Sequence, residues 1–296
     1  DDALSTQALA CTCKKIVAPC MNTRMLNNAA TMRNIDILRR DGFTIIEPFS
    51  GLLACGDIGD GKLPDDATLF AYVDRGLNEN DSLKGKEVLV TAGATRESLD
   101  PVRFITNHAS GKMGFAMAHE CMLRGAHVTV IAGAHTAPPP YFVDIINVSS
   151  AMEMFDAVRE ISQKQDIIIK AAAVADYTPL EVSCEKIKKS DGELSLKLKR
   201  TTDILKFLGE KKNPPQFLVG FSMETQNMVE NSQKKLEKKN ADMIVANNIK
   251  VEGAGFATDT NVVTLITRDF VRELPKMTKQ EAAKAIMDEV ILRISK

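Results

Sequence analysis

TAGATRESLDPVRFITNHASGKMG, residues 91–114, lies directly behind the aliphatic run Val88-Leu89-Val90. A short β-branched run that breaks at Gly93 predicts a buried strand emptying into a loop, and the pattern from Lys112 to Arg124 predicts a helix. Strand, polar loop and helix start aim unpaired backbone N–H groups and the positive end of a helix dipole over the loop, a setting that favours a phosphate or carboxylate. Ser110 reads as the helix cap, Gly111 and Gly114 as points of close backbone approach, and Lys112 as an added charge. An ordinary βα turn has the same outline. Arg96, Arg103, Asn107, His108 and Lys112 crowded into one loop are what favour a site.

Beyond this stretch, strands and helices alternate. Strands are expected at 87–91, 128–132, 166–170, 216–221 and 242–245, and helices near 112–124, 150–163, 203–209, 226–239 and 279–294. Such alternation predicts an α/β fold, a Rossmann-like, doubly wound, mostly parallel sheet covered on both faces, with ligands in the crevice at the carboxyl ends of the strands. Glu193 to Lys199, with alternating apolar residues, and Asn261 to Thr267 break the rhythm and predict a hairpin arm and an antiparallel edge strand. Residues 76–85, GLNENDSLKG, are polar and turn-rich and read as a linker, leaving 86–296 as the second domain.

Residues 1–75 form the first unit. Lys15 to Ala18 predicts a short strand, Asn27 to Arg40 a helix ended by Gly42, and Phe43 to Ile46 a second strand. LLACGDIGDGKLPD then reads as a glycine-rich loop before a helix near 67–75. Gly56 to Lys62 satisfies the first seven positions of the phosphate-binding pattern GxxxxGK[ST]. The eighth is Leu63, with no hydroxyl for a metal, and Pro64 follows, so the P-loop reading is rejected. Cys55 reads either as a thiol acid or nucleophile on a flap, activated by Lys62, or as a small buried residue. Asn22 reads either as a substrate contact or as a turn former. Two strands and two helices are too few to close a domain.

Composition narrows the classes. The 296 residues carry a net charge of −1 with ordinary apolar and charged content, which suggests neither a nucleic-acid field nor a polybasic membrane patch. No apolar run reaches the ~18 residues of a membrane span and no signal-peptide pattern opens the chain. Six scattered cysteines without CxxC predict reduced thiols and a cytoplasmic protein.

Further polar clusters fall where strands should end. Ile167 to Lys170 runs into AAAVADY, whose alanines admit a ligand close to the backbone and whose Asp176 supplies a carboxylate. EKIKK follows with Lys186, Lys188 and Lys189; Phe221 opens FSMET, and Asn247-Asn248 ends the next strand. Each has a plain alternative, a solvated loop for the lysines and a core position for Phe221. Together they describe two anion-binding regions, near 107–114 and 186–189, suited to a nucleoside triphosphate and a second phosphorylated substrate.

These motifs, TAGATRESLDPVRFITNHASGKMG, AAAVADY, EKIKK, VGFSMET and ANN, closely resemble the phosphopantothenate-cysteine ligase domain of bacterial coenzyme A biosynthesis. Residues 1–75 resemble the carboxyl-terminal part of the flavodoxin-like phosphopantothenoylcysteine decarboxylase domain: APCMNTRM is similar to its substrate clamp and LLACGDIGDGKLPD to its flap. The resemblance implies attack of the 4'-phosphopantothenate carboxylate on the α-phosphorus of CTP, giving an acyl-cytidylate and pyrophosphate, then displacement of CMP by the amine of L-cysteine. Mg²⁺ on the triphosphate is implied, with metal ligands left unassigned. Carried over by motif, Asn107 holds the acyl-cytidylate, Arg103 serves its turnover by cysteine, and Lys186 stabilises charge during activation. Ala173 and Asp176 line the cytidine pocket, and Gly93, Ser110, Lys112, Gly114 and Phe221 the nucleotide and phosphate surroundings. A homodimer through the ligase domain is implied, with the arm near 193–199 a candidate for reaching the partner.

For the decarboxylase half, the resemblance makes Asn22 the clamp asparagine and Cys55 the proton donor of an FMN-dependent reaction. The family's flavin-binding strand, loops and histidine would lie upstream of Asp1, and Met25-Leu26 replaces the usual Met-Trp. The chain, which opens without Met, is therefore expected to be a fragment that needs an upstream segment for FMN binding and decarboxylation. Two other classes stay open: a nicotinamide-dependent reductase, against which Gly93 to Ser98 lacks the later glycines of GxGxxG, and a non-catalytic regulatory subunit related to the decarboxylase.

Overall fold

The computed structural model describes residues 2–188, 194–224, 227–248 and 258–295. Two compact units divide at Glu79 and Asn80. No described helix is long and apolar enough to cross a membrane.

The amino-terminal unit contains α1 (Ala3–Ala10), β1 (Ile16–Val17), α2 (Thr23–Leu26), α3 (Ala29–Arg40), β2 (Thr44–Ile45), β3 (Phe49–Leu52), β4 (Ile58–Lys62) and α4 (Asp66–Asn78). β1 and β2 pair in parallel, and α3 returns the chain between them, ending before Gly42 at φ +84°. The expected helix from Asn27 to Arg40 is α3, and a separate one-turn helix, α2, precedes it; Asn22 and Asn28 each accept a backbone N–H two residues on and start the two helices. The expected loop around Cys55 is an antiparallel hairpin, β3–β4. The division at Glu79 and Asn80 falls within the expected linker, 76–85, both ends of which are ordered. α4 continues to Asn78, because Gly76 serves close approach to Ile16 rather than a helix break. Asn80 and Leu83 donate backbone hydrogen bonds to Leu123 and Arg124, and Leu83 is buried, so residues beyond 79 are anchored in the second unit.

The carboxyl-terminal unit runs β5 (Glu87–Ala92), β6 (Arg96–Ser98), β7 (Phe104–Thr106), α5 (Lys112–Leu123), β8 (His127–Ala132), β9 (Asp144–Asn147), α6 (Ala151–Ile161), β10 (Ile167–Lys170), β11 (Tyr177–Pro179), β12 (Leu198–Arg200), α7 (Ile204–Lys211), β13 (Phe217–Glu224), α8 (Met228–Lys238), β14 (Met243–Asn248), β15 (Thr260–Asn261), β16 (Val263–Ile266), β17 (Val271–Glu273), β18 (Met277–Thr278) and α9 (Lys279–Ile294). Eight strands form one sheet in the order β17-β16-β14-β13-β10-β5-β8-β9. The six from β14 to β9 are parallel, and β16 and β17 extend the β14 edge antiparallel. This is a Rossmann-like α/β fold with its topological switch between β5 and β10.

Alternation along the strands divides the core. Val88, Val90, Val128, Val130, Ile167 and Ile169 face α5 and α9, whereas Leu89, Ile131, Ile168, Leu218 and Ile244 face α6, α7 and α8. Burial on both faces explains why β10 reads as an unbroken apolar run. At about 1.5–3 kcal/mol for each fully buried aliphatic side chain, these two layers hold the sheet together. Among the described residues, the expected arm is present as β12 paired antiparallel with β11; residues 189–193, with Lys189, lie outside them. β9 and β17 carry too weak a pattern to have been expected.

Candidate active site

The carboxyl ends of β5, β8 and β10 are laced together beyond the sheet. Gly93 at φ +79° lets the chain turn against β8; a Cβ there would stand 2.6 Å from the Ala134 carbonyl. Ala94 and Ala134 exchange backbone hydrogen bonds, and Ala173 donates to the Gly93 carbonyl at 2.9 Å. Buried Thr91 and Thr95 accept from the backbone N–H groups of Ala172 and Ala175. Hairpin β6–β7 rises from this base, held by buried Glu97, which accepts from the Ala151 N–H at the start of α6. Thr106 donates to the Thr95 carbonyl at 2.7 Å and Asn107 Nδ2 to the Ala173 carbonyl at 3.0 Å, so the orientation of Asn107 follows from the strand ends.

α5 then begins against β5. Gly114 is required by space, because a Cβ would lie 2.6 Å from that of Ala92. The expected Ser110 cap needs correction: Gly111, at φ +84°, occupies the cap position and no side chain caps the helix. The Ser110 carbonyl accepts from Thr136 and Ala137 instead, which folds the loop back on itself. Lys112 pairs with Asp259 at 2.6 Å, and buried Lys279 donates to the Thr258 carbonyl. Burial and the charge of Lys112 push the Lys279 ammonium below its ordinary pKa.

A central cavity of ≈ 380 Å³ sits on this floor. Gly93, Asn107, Ser110, Lys112, Gly114, Ala173, Asp176 and Phe221 all line it, so eight residues singled out in the sequence are brought together. Asn107, Ser110 and Lys112 also line a neighbouring hollow of ≈ 340 Å³ with Arg96 and His135. On the other side Lys170, Asp176, Phe221 and Lys235 are shared with a cavity of ≈ 580 Å³ rimmed by Arg200, Lys234, Lys238 and Lys239. The three form a chain of adjoining hollows at the carboxyl edge of the sheet.

Sequence reasoning missed part of this wall. Lys170 ends β10 and donates to the Ala172 carbonyl at 2.9 Å; burial, then the nearby Lys235 charge, lowers its pKa to about 8. Lys239 pairs with Asp203, whose carboxylate also caps α7 through the Lys206 N–H. Asn247, noted only as a strand end, is buried with its Oδ1 unpartnered among the described residues and lines the central cavity. A lysine closing the apolar run IIIK was the available signal for Lys170. KKLEKK is indistinguishable from a solvated helix face.

Arg103 and Lys186 line none of these hollows. Arg103 pairs with Asp100 and donates to the Ile187 carbonyl at 2.7 Å, and the Ile187 N–H returns to Asp100. That bonding holds the Asp100 carboxyl well below its usual range, the Arg103 hydrogen bonds contributing most. Arg103 therefore stands beside the backbone that carries Lys186, and the exposed Lys186 ammonium has no hydrogen bond or ion pair among the described residues.

In the amino-terminal unit Asn22 and Cys55 meet. Asn22 Nδ2 donates to Cys55 Sγ at 3.2 Å, and the exposed thiol lies 3.6 Å from Asp57. Cys55 sits between the hairpin strands, whereas Lys62, expected to activate it, pairs with Phe49 at the far end.

An uncapped helix start at the switch point of a doubly wound sheet, beside a lysine-rimmed hollow, is the arrangement at which α/β proteins of this class accommodate phosphate groups and nucleotides. Residues 83–293 match the family described as DNA/pantothenate metabolism flavoprotein C-terminal domain, and residues 2–78 match the flavoprotein family. The chain belongs to the family of coenzyme A biosynthesis bifunctional proteins, CoaBC. It is 46% identical to the Bacillus subtilis protein of that name over 98% of this chain and 72% of that one. It is 42% identical to the Haemophilus influenzae protein over 100% and 74%. A crystal structure of a CoaBC C-terminal domain superposes with a TM-score of 0.63 at 42% identity, covering 73% of this chain and 99% of that one.

Proposed function

We propose that the carboxyl-terminal unit joins 4'-phosphopantothenate to L-cysteine at the expense of CTP, through an acyl-cytidylate. The observation that carries this reading is the shared wall between the central cavity and the lysine-rimmed one. A phosphate at the α5 start, near Lys112, lets the rest of an elongated acid lie along the central cavity with its carboxylate toward the shared wall. A triphosphate among Lys235, Lys239 and Arg200 approaches the same wall from the other side. The carboxylate oxygen bonds to the α-phosphorus and pyrophosphate leaves with the electron pair. Cysteine's amine then bonds to the acyl carbon, CMP leaves, and the nitrogen gives its proton to solvent. Asn107 holds the mixed anhydride, while Arg103 and Lys186, which line none of the three hollows, take turnover and activation by likeness to the family.

Among the described residues no three His, Cys, Asp or Glu side chains converge as a metal cage. In this reading Mg²⁺ comes with the triphosphate of CTP and offsets its charge. FMN is assigned to the complete decarboxylase domain, of which residues 2–78 match the flavoprotein family. Cys55 and Asn22 are assigned to the decarboxylase half-reaction by family membership, with no step routed through these residues alone. We place homodimerisation on the β11–β12 arm and the segment before β12, where the exposed Leu194, Leu196 and Leu198 alternate with polar residues.

The test is isotopic. With ¹⁸O in the phosphopantothenate carboxylate, one label is expected in the CMP released. CMP without label would exclude the acyl-cytidylate.

A further inference from the structure

Five residues line both the central and the lysine-rimmed cavity: Lys170, Val174, Asp176, Phe221 and Lys235. In the acyl-nucleotide reading, the carboxylate and the α-phosphorus meet against this wall. Lys170 and Lys235 are its cations, and they are held differently. Lys235 projects from α8 and reaches the Phe221 carbonyl at 3.4 Å. Lys170 projects from the last residue of β10, at the topological switch, and its amine is fixed by the Ala172 carbonyl at 2.9 Å. That bond uses one of the three donors of an ammonium, and Lys170 has no other hydrogen bond among the described residues. The amine is near enough to Lys235, Asp203 and Asp176 to feel each charge, which puts it at the meeting of α8, the α7 start and the loop after β10.

We propose that Lys170 is a further catalytic residue, whose ammonium donates hydrogen bonds to the non-bridging oxygens of the α-phosphoryl group during attack by the carboxylate. The inference rests on the acyl-nucleotide reading above. Its chemistry needs no proton transfer from Lys170: the carboxylate–phosphorus bond forms, the bond to the β-phosphate oxygen breaks, and the two spare N–H donors meet charge gathering on the α-phosphoryl oxygens. Placement on a strand rather than a loop fixes the donor before the substrates arrive, the condition under which such bonds favour the transition state over the bound substrate. Burial and Lys235 lower its pKa to about 8 against the opposing charges of Asp203 and Asp176, and an anion at the wall favours its ammonium form.

The experiment compares pyrophosphate release by the full chain and by Lys170→Met, with phosphopantothenate, Mg²⁺ and varied CTP. The expected result is a kcat lower by about a hundredfold, the scale for removing one oxyanion donor, with the KM for CTP changed less than about threefold. Lys170→Arg is expected to recover part of the loss, because it keeps a cation at the wall. Should Lys170→Met not fold, Lys170→Gln, which keeps a donor for Ala172 without the charge, carries the same expectation. A kcat within about threefold of the parent chain, or a loss confined to KM, overturns the proposal while the ligase reading stands. A parent chain that releases no pyrophosphate with any nucleotide overturns both.

Discussion

The two units of this chain differ in what their sequences spend on a core. Among the described residues of the amino-terminal unit, the buried apolar side chains are Leu26, Ile35, Ile46 and Leu53, while Phe70, Leu77, Ile58 and Leu52 are exposed. The carboxyl-terminal unit buries two full layers, one on each face of its sheet. A site in the second unit is thus built on strand ends fixed from both sides, whereas Asn22 and Cys55 meet on a short hairpin and a one-turn helix. Preorganised chemistry follows from the sheet; the hairpin can only present a thiol. Core substitutions are expected to act strongly in one unit and weakly in the other.

The largest expected effect lies in the carboxyl-terminal core. Met287→Ala, removing a fully buried side chain between α9 and α5, is expected to destabilise that unit by about 2–5 kcal/mol in denaturant titration. Phe70→Ser on exposed α4 is expected to change stability by no more than about 0.5 kcal/mol. Comparable losses at both positions would break the contrast between the units.

Next come the site residues. Lys186→Gln is expected to suppress pyrophosphate release about a hundredfold, and Asn107→Asp to spare that step while slowing amide formation on a similar scale. Quenched-flow separation of the two products checks both. Equal loss of both steps in both variants would sever the assigned roles.

A smaller effect than those at the site belongs to His127, which bridges β5, β8 and β9 through Glu87 at 2.8 Å and Asp144 at 3.2 Å. The hydrogen bond to Glu87 chiefly raises its pKa. Its stabilisation is therefore fully present below the unfolded value, near pH 6.5, and lost as pH rises through the raised folded value. His127→Gln is expected to flatten that part of the stability profile, by less than about 1 kcal/mol for so exposed a pair. An unchanged slope in the variant would assign it to other groups.

Much of the second unit was legible because its strands are buried on both faces and end in small residues. VLV, IIIK and the alanines after Lys170 announce a sheet whose carboxyl edge faces a ligand, and the central cavity gathers Gly93, Asn107, Ser110, Lys112 and Asp176 as one lining. Less legible was whatever depends on which side of a helix meets the sheet. Lys235 and Lys239 become cavity residues only once α8 is docked, and the pairing of Asp203 with Lys239 joins residues 36 apart in sequence. The hairpin around Cys55 was hidden because its glycines signal a loop as readily as an irregular strand: Gly61 has φ +121° and lies where any Cβ would strike the Met21 carbonyl. Arg103 was placed by motif in the reaction, and its position against Ile187 could be seen only with the fold complete.

In the proposed reaction the paired cavities activate a carboxylate before an amine arrives. Pyrophosphate release by the purified chain, given phosphopantothenate and Mg²⁺ with CTP or ATP, with and without cysteine, tests this most directly. Release that prefers CTP, stops near one equivalent without cysteine and becomes multiple-turnover on its addition is the predicted result. Absence of release with either nucleotide, or release indifferent to phosphopantothenate, would contradict it.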